Sequence, residues 1–184
     1  MCLKKVIILI FLTSIFSCKK SENDNDRIFT ENYSIEAPFD FERITTMNEL
    51  AKVQYKKPEE DLHFIVLEET KEGFQNGIKM GVHKVSPSLF GYYKVITNHF
   101  DEITDNFKTS DYGVTKINSC NAIVFSMSGK DLEDGKGVYY RYAILEDEKN
   151  LYQIMSWTNL GYKDKLVGRM TPIINSFKSN SISK

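Results

Sequence analysis

The sequence predicts an α+β domain in which an antiparallel β-sheet is sandwiched by helices. Three observations carry that expectation. Four strand-like runs between Gly113 and Thr158 are joined by short links, as in an antiparallel meander. Two apolar stripes of helical spacing flank the meander, one on each side in the chain. The strand runs carry apolar side chains on both faces, so each face of the sheet needs cover.

The elements follow in order. Tyr33-Ser34-Ile35-Glu36 alternates as a short strand and is stopped by Pro38. Leu50 to Lys56 alternates again, with Ala51, Val53 and Tyr55 on one face. Lys57-Pro58-Glu59-Glu60-Asp61 reads as a turn, and Leu62 to Leu67 as an apolar run short enough for a buried strand. Lys71 to Val85 holds three glycines and reads as irregular. Ser86-Pro87 opens a helix, with serine as the capping candidate. Its stripe is Leu89, Tyr93, Ile96, Phe100, Ile103 and Phe107.

The meander strands are Gly113 to Ile117, Asn121 to Ser128, Val138 to Leu145 and Leu151 to Thr158. Ile123, Phe125 and Met127 oppose Val124 across the sheet; Tyr140, Tyr142 and Ile144 oppose Tyr139, Ala143 and Leu145. The closing helix spans Lys163 to Phe177, striped by Leu166, Met170, Ile173, Ile174 and Phe177. Pro172 removes a backbone donor inside it, so a kink or break is expected there.

The composition is that of a globular protein: 184 residues suit one domain, and 41% are hydrophobic against 27% charged. A formal charge of −1 with dispersed basic residues argues against a nucleic-acid partner. Three cysteines are too few for a disulfide-stapled scaffold.

The first residues read as an address. Lys4 and Lys5 precede the apolar run Val6–Phe16. Eleven helical residues rise about 16 Å, roughly half of a ~30 Å hydrocarbon core, which fits a signal-peptide segment better than a membrane span. Ile15-Phe16-Ser17-Cys18 resembles a bacterial lipobox. That resemblance implies cleavage before Cys18 and acylation of it, which anchors the chain in a membrane. Cleavage removes two lysines and no acid, moving the formal charge from −1 to −3. Cys2 leaves with the leader, so Cys120 remains without an intramolecular partner. An ordinary secretory signal with an incidental cysteine is the alternative. Glu22, Asp24 and Asp26 in the polar stretch after Cys18 resemble the acidic export signal of Bacteroidetes outer-membrane lipoproteins. The expected divisions are a leader over 1–17, a lipidated cysteine and flexible tether over 18–28, a folded domain over 29–178, and a polar tail over 179–184.

Taken together, Tyr33 to Pro38, the strand ending in Glu68-Glu69, the central helix, the pair Tyr140-Arg141-Tyr142-Ala143 and Tyr152-Gln153-Ile154, and Ile174 to Lys178 resemble the PsbP-like domain, including DcrB-type bacterial lipoproteins. The resemblance implies an α/β/α sandwich, a mostly non-catalytic function and binding to other proteins. It assigns no binding residue.

A search for chemistry finds no catalytic constellation, no cofactor motif and no metal-ligand spacing. None of His63, His83 and His99 has a second histidine or a cysteine three or four residues away, the pairing that helical metal sites use. The acidic clusters at Glu59 to Asp61, Asp131 to Asp134 and Glu146 to Glu148 fall in turns. Cys120 reads as a small buried thiol. Most aromatic residues read as core, with Tyr139 and Trp157 the candidates for a partner surface if their strand faces are uncovered.

The expected function is therefore that of an outer-membrane lipoprotein, on either face of that membrane, held through Cys18. It binds another envelope protein as an accessory or assembly factor, without catalysis. A carrier holding a small apolar ligand under the meander is the alternative. A hydrolase with a scattered site, using His63 or His83, is the third reading.

Overall fold

The computed structural model describes residues 25–132 and 134–181. The expected leader, Cys18 and the tether as far as residue 24 lie outside the described residues. In chain order the strands are β1 (Asp26–Phe29), β2 (Tyr33–Ala37), β3 (Glu42–Arg43), β4 (Val53–Lys57) and β5 (Leu62–Thr70). Helices α1 (Lys71–Lys79) and α2 (Leu89–Ile103) follow. Strands β6 (Thr104–Ile117), β7 (Cys120–Asp131), β8 (Gly137–Glu146) and β9 (Asn150–Asn159) come next, then α3 (Lys163–Asn175) and β10 (Lys178–Ser179). The main sheet has seven antiparallel strands in the order β3-β4-β5-β9-β8-β7-β6, and β1-β2-β10 form a small second sheet.

The two sheet faces divide as the alternation predicts. Val53, Phe64, Val66, Ala122, Tyr139, Ala143, Leu145, Tyr152 and Ile154 form one face. It is covered by Leu166, Met170, Ile173 and Ile174 of α3, by Phe177, and by Tyr33 and Ile35 of β2. Ile123, Phe125, Met127, Tyr142 and Ile144 form the other, under Phe74 of α1 and Tyr92 and Phe100 of α2. The result is an α/β/α sandwich with a core on each side of the sheet.

Several expected elements differ. Lys71–Lys79 is helical rather than irregular. Thr70 caps it by accepting from the Gly73 amide, Glu72 and Lys79 suit the two ends of its dipole, and Phe74 and Ile78 anchor one face. Its two glycines hid this pattern. Gly77 lies beneath His83, where an added Cβ would come within 2.9 Å of the imidazole, so the chain after the helix folds back closely over it.

The stripe through Phe107 also outruns its helix. The chain turns extended at Thr104 (φ −134°, ψ 121°) and passes straight into β6. Asn106 and Asp111 take left-handed φ values near two register shifts against β7, so β6 is bulged and its period of two is broken. Only its last five residues are legible as a strand in the sequence.

In α3 the helix continues through Pro172 to Asn175 without a break before it. The proline sits in the last turn, where few backbone bonds remain to disturb, and the Ser176 amide closes back onto the Pro172 and Ile173 carbonyls. Both domain boundaries move outward. β1 begins at Asp26, within the expected tether, and pairs along β2. Arg27 fastens it to Glu36, to Ser34 Oγ and to the Ser176 carbonyl. At the other end Ser179 and Ser181 donate to the Asp147 carboxylate and the Asn180 amide bonds the Asn32 carbonyl, so the tail as far as Ser181 belongs to the domain.

Candidate functional site

The second face of the sheet is not covered along its whole width. Helices α1 and α2 sit over β7, β8 and the adjoining part of β9, and a groove of about 340 Å³ opens beside α2. Ile65 and Leu67 of β5, Met155 and Trp157 of β9 and Tyr140 of β8 make its floor. Ile96, His99 and Phe100 of α2 form one wall, and Met47 and Asn48 of the loop between β3 and β4 form the other. The lining is chiefly apolar and the groove is open to solvent, which suits an apolar ligand or a partner side chain.

A single buried amide holds the loop wall. Gln54, 3% exposed, accepts from the Met47 and Asn48 amides at 3.0 Å each. Its Nε2 donates to the carbonyls of Asn48 (2.6 Å) and Ala51 (2.9 Å). Four hydrogen bonds from one side chain thus shape a segment with no regular structure of its own.

The inner end of the groove is polar. Gln153 accepts from the Tyr142 hydroxyl and donates to the Tyr92 hydroxyl at 2.7 Å. Burial pushes both phenols up, with the Glu69 charge adding to the effect on Tyr92, so each stays a neutral hydrogen-bonding group. This chain ties α2 to the sheet beside the groove.

Trp157 is half-buried, and its indole stacks on His63 (centroids 5.0 Å apart, 13° between planes) and meets Tyr140 at 6.1 Å. It therefore offers part of its ring to the groove. Tyr139 does not share that position. It is 2% exposed, its hydroxyl is 2.8 Å from Ser126 Oγ, and the Lys163 ammonium lies over its ring. Its strand face is covered by the start of α3, which corrects the expectation of a partner surface at Tyr139.

His63 Nε2 is 3.0 Å from Asp61 Oδ1, and His63 Nδ1 is buried with no hydrogen-bond partner among the described residues. One of the three histidines thus meets a carboxylate. Cys120 is buried, and its thiol is pushed up by burial and then by the Asp147 charge, away from nucleophilic character. Among the described residues no group of three or more His, Cys, Asp or Glu side chains is placed to hold a metal ion.

A larger cleft of about 530 Å³ lies between β2, the loop after it and α3, where Pro38, Phe39, Pro172 and Ile173 share the lining with Glu36, Asp40 and Arg169, the last two being members of an ion-pair network. Arg169 reaches Asp40 with 2.7 Å bonds and also Glu60; Lys57 pairs with Asp40 and Lys165 with Glu60. Sequence reasoning missed this network because its members are far apart in the chain. The same holds for Gln54, whose neighbours give no hint of burial beyond the strand alternation itself.

No described helix is long and apolar enough to cross a membrane. No protein-family model matches the chain. No curated protein matches it either. Solved structures do. A cyanobacterial PsbP from Synechocystis aligns with a TM-score of 0.56 at 8% identity, covering 91% of this chain and 98% of that one. LpqN of Mycobacterium tuberculosis, involved in cell envelope biogenesis, aligns at 0.54 with 9% identity, covering 86% and 91%. The Ran-binding protein Mog1p of Saccharomyces cerevisiae aligns at 0.52 with 10% identity, covering 84% and 95%. The chain has the PsbP-like fold, as the order of its elements predicts. A shared fold does not by itself carry a function, so function must be argued from the site.

Proposed function

We propose that this protein is a lipoprotein of the bacterial outer membrane, of Bacteroidetes type, that acts as a non-catalytic binding or accessory factor for another envelope protein. Cys18 is its lipid attachment point, and the residues between it and β1 space the domain from the bilayer. The observation that carries the binding half is the open apolar groove on the second sheet face, with Trp157 on its floor. Tryptophan and methionine are favoured where side chains of a partner are buried. The lipobox residues support the anchoring half, and likeness to an envelope-biogenesis protein and a Ran-binding protein is in keeping with a binding module.

Metabolic labelling with a palmitate analogue tests the anchor. Label is expected in the native chain and absent from Cys18→Ala; label persisting in the variant would refute lipidation at that residue. The groove's volume also supports the second reading, a carrier of a small apolar ligand. Mass spectrometry of protein purified without detergent separates the two, since a carrier would retain a bound molecule that Met155→Glu releases.

A further inference from the structure

Strand β6 is the long edge of the main sheet. The opposite edge, β3, is only two residues long, a common way of closing an edge to further pairing. Two bulges blunt the first part of β6, but from Gly113 to Ile117 it runs in unbroken register with β7. The hairpin sets the direction of its backbone groups. Asn118 and Ser119 form a two-residue link, which makes Ile117 and Cys120 a hydrogen-bonded pair. Such pairs alternate along an antiparallel ladder, so Thr115 and Gly113 also bond β7, whereas the N–H and C=O groups of Val114 and Lys116 point off the sheet. The side chains there are open as well. Val114 is 71% exposed and Tyr112 48%, on the face that carries α2; Phe90 (47%) stacks on Tyr93, which meets Tyr112 edge-on at 5.4 Å. Among the described residues Lys116 has no ion pair, and the Asp111 carboxylate has only the neighbouring Ser110 hydroxyl.

We propose that β6 pairs with β6 of a second copy of this chain, antiparallel and about a two-fold axis at Val114. The inference goes beyond the groove-binding reading and uses a different surface. A second copy is selected because the strand is complementary to itself. In this register Val114 faces Val114 and exchanges both backbone bonds with it. Lys116 of each copy stands opposite Tyr112 of the other and beside its Asp111. Two cation–ring contacts and two contacts of opposite charge form at once, and no like charges stand opposite each other. An axis normal to the sheet keeps the faces of the copies together, so a continuous sheet of twice seven strands presents both grooves on one side. A partner that offers its docking feature twice is then held at two points. The overlap is short, roughly 1,000 Å² in total, which places the pair among weak, reversible interfaces.

Val114→Cys tests the register. Self-pairing brings the two Cα atoms to about 5.5 Å, within reach of a disulfide. In intact cells making the full chain, copper–phenanthroline oxidation should join Val114→Cys into a covalent homodimer about tenfold more efficiently than Val82→Cys, a site of similar exposure (67%) in the loop after α1. The native chain, whose Cys120 is buried, sets the background. Adding Lys116→Glu, which sets a carboxylate against Asp111 of the other copy, should cut the yield about fivefold, and Asp111→Asn beside it should restore most of it. Asparagine keeps the left-handed backbone at position 111. Equal yields at 114 and 82 would overturn self-pairing, as would a yield indifferent to Lys116→Glu in a variant that keeps the native melting temperature. Joining of position 114 to a different protein would also overturn it and assign the edge to that protein's strand. None of these results bears on the groove, so failure here leaves the groove-binding reading standing.

Discussion

Phe177 should be a keystone of the first core, and its truncation can be given a size. The ring is fully buried, stacks on Tyr33 with centroids 5.4 Å apart, and meets Tyr152 at 4.9 Å. It sits just past the end of α3 and just before β10, where the Asn118 side chain bonds its carbonyl. A fully buried phenylalanine withdraws about 150–250 Å² from water, worth roughly 4–6 kcal/mol at ~25 cal/mol per Å². The compact unfolded chain lowers that figure and the cavity left behind raises it. Phe177→Ala should therefore cost about 3–5 kcal/mol, lowering the melting temperature by roughly 10–15 °C. Phe177→Leu, which keeps most of the volume, should cost about 1–1.5 kcal/mol. Urea unfolding followed by far-ultraviolet circular dichroism measures both changes. Trp157 lies on the opposite face of the sheet from Phe177, so its fluorescence should give the same midpoint if the two cores unfold together. A loss under 1 kcal/mol in Phe177→Ala, or a Trp157 transition that does not move with it, would refute the reasoning.

The remaining predictions concern the groove wall, a tight helix start and acid. Gln54→Ala removes four hydrogen bonds and strands the Met47 and Asn48 amides. It should cost about 2–3 kcal/mol and raise amide hydrogen exchange across residues 44–52 well above that of β9. Gly91 lies where an added Cβ would stand 1.9 Å from the Ser86 carbonyl oxygen. Gly91→Ala should destabilise by about 1–3 kcal/mol in denaturant titration, unlike Gly168→Ala, where a Cβ meets open space. Burial works against the ionised forms of Asp40 and Glu60, but hydrogen bonds and charges from Lys57, Arg169 and Lys165 hold both carboxyls below the usual carboxylate range. Their contribution is thus complete above the unfolded-state values and is lost as pH falls through the lower folded ones. Arg169→Met should cost about 1 kcal/mol at pH 7, and the gap from the native protein should close as the pH is taken below about 4. A gap unchanged at pH 3 would show that Arg169 acts by packing on Phe41 rather than by charge.

The sandwich was legible in the sequence because its long-range order is written in local periods. The alternation along β7 and β8 sorts Phe125 and Tyr142 to one face and Ala143 and Leu145 to the other, where the structure has them. Short links forced β7, β8 and β9 to be antiparallel neighbours. What escaped was whatever breaks a period or joins distant residues. Helix α1 was hidden by Gly73 and Gly77, whose absent side chains erase the apolar count. β6 was hidden by its bulges, and Phe107 fell by chance on the helical step from Ile103. The site was half visible. Trp157 could be singled out by type, and it lies on the groove floor. Tyr139, its equal in composition, is buried because the start of α3 covers its end of the strand, a fact of tertiary placement. The groove itself depends on where α2 stops covering the sheet, which no local pattern encodes.

Photo-crosslinking in intact cells joins the two halves of the account in one measurement. A photoreactive amino acid at Met47, on the groove wall, is compared with one at Glu148, in the turn before β9, each with native Cys18 and with Cys18→Ala. The account predicts a discrete protein adduct from position 47, none of the same size from position 148, and its loss when Cys18 is replaced. The same adduct from both positions, or one indifferent to Cys18, would contradict it.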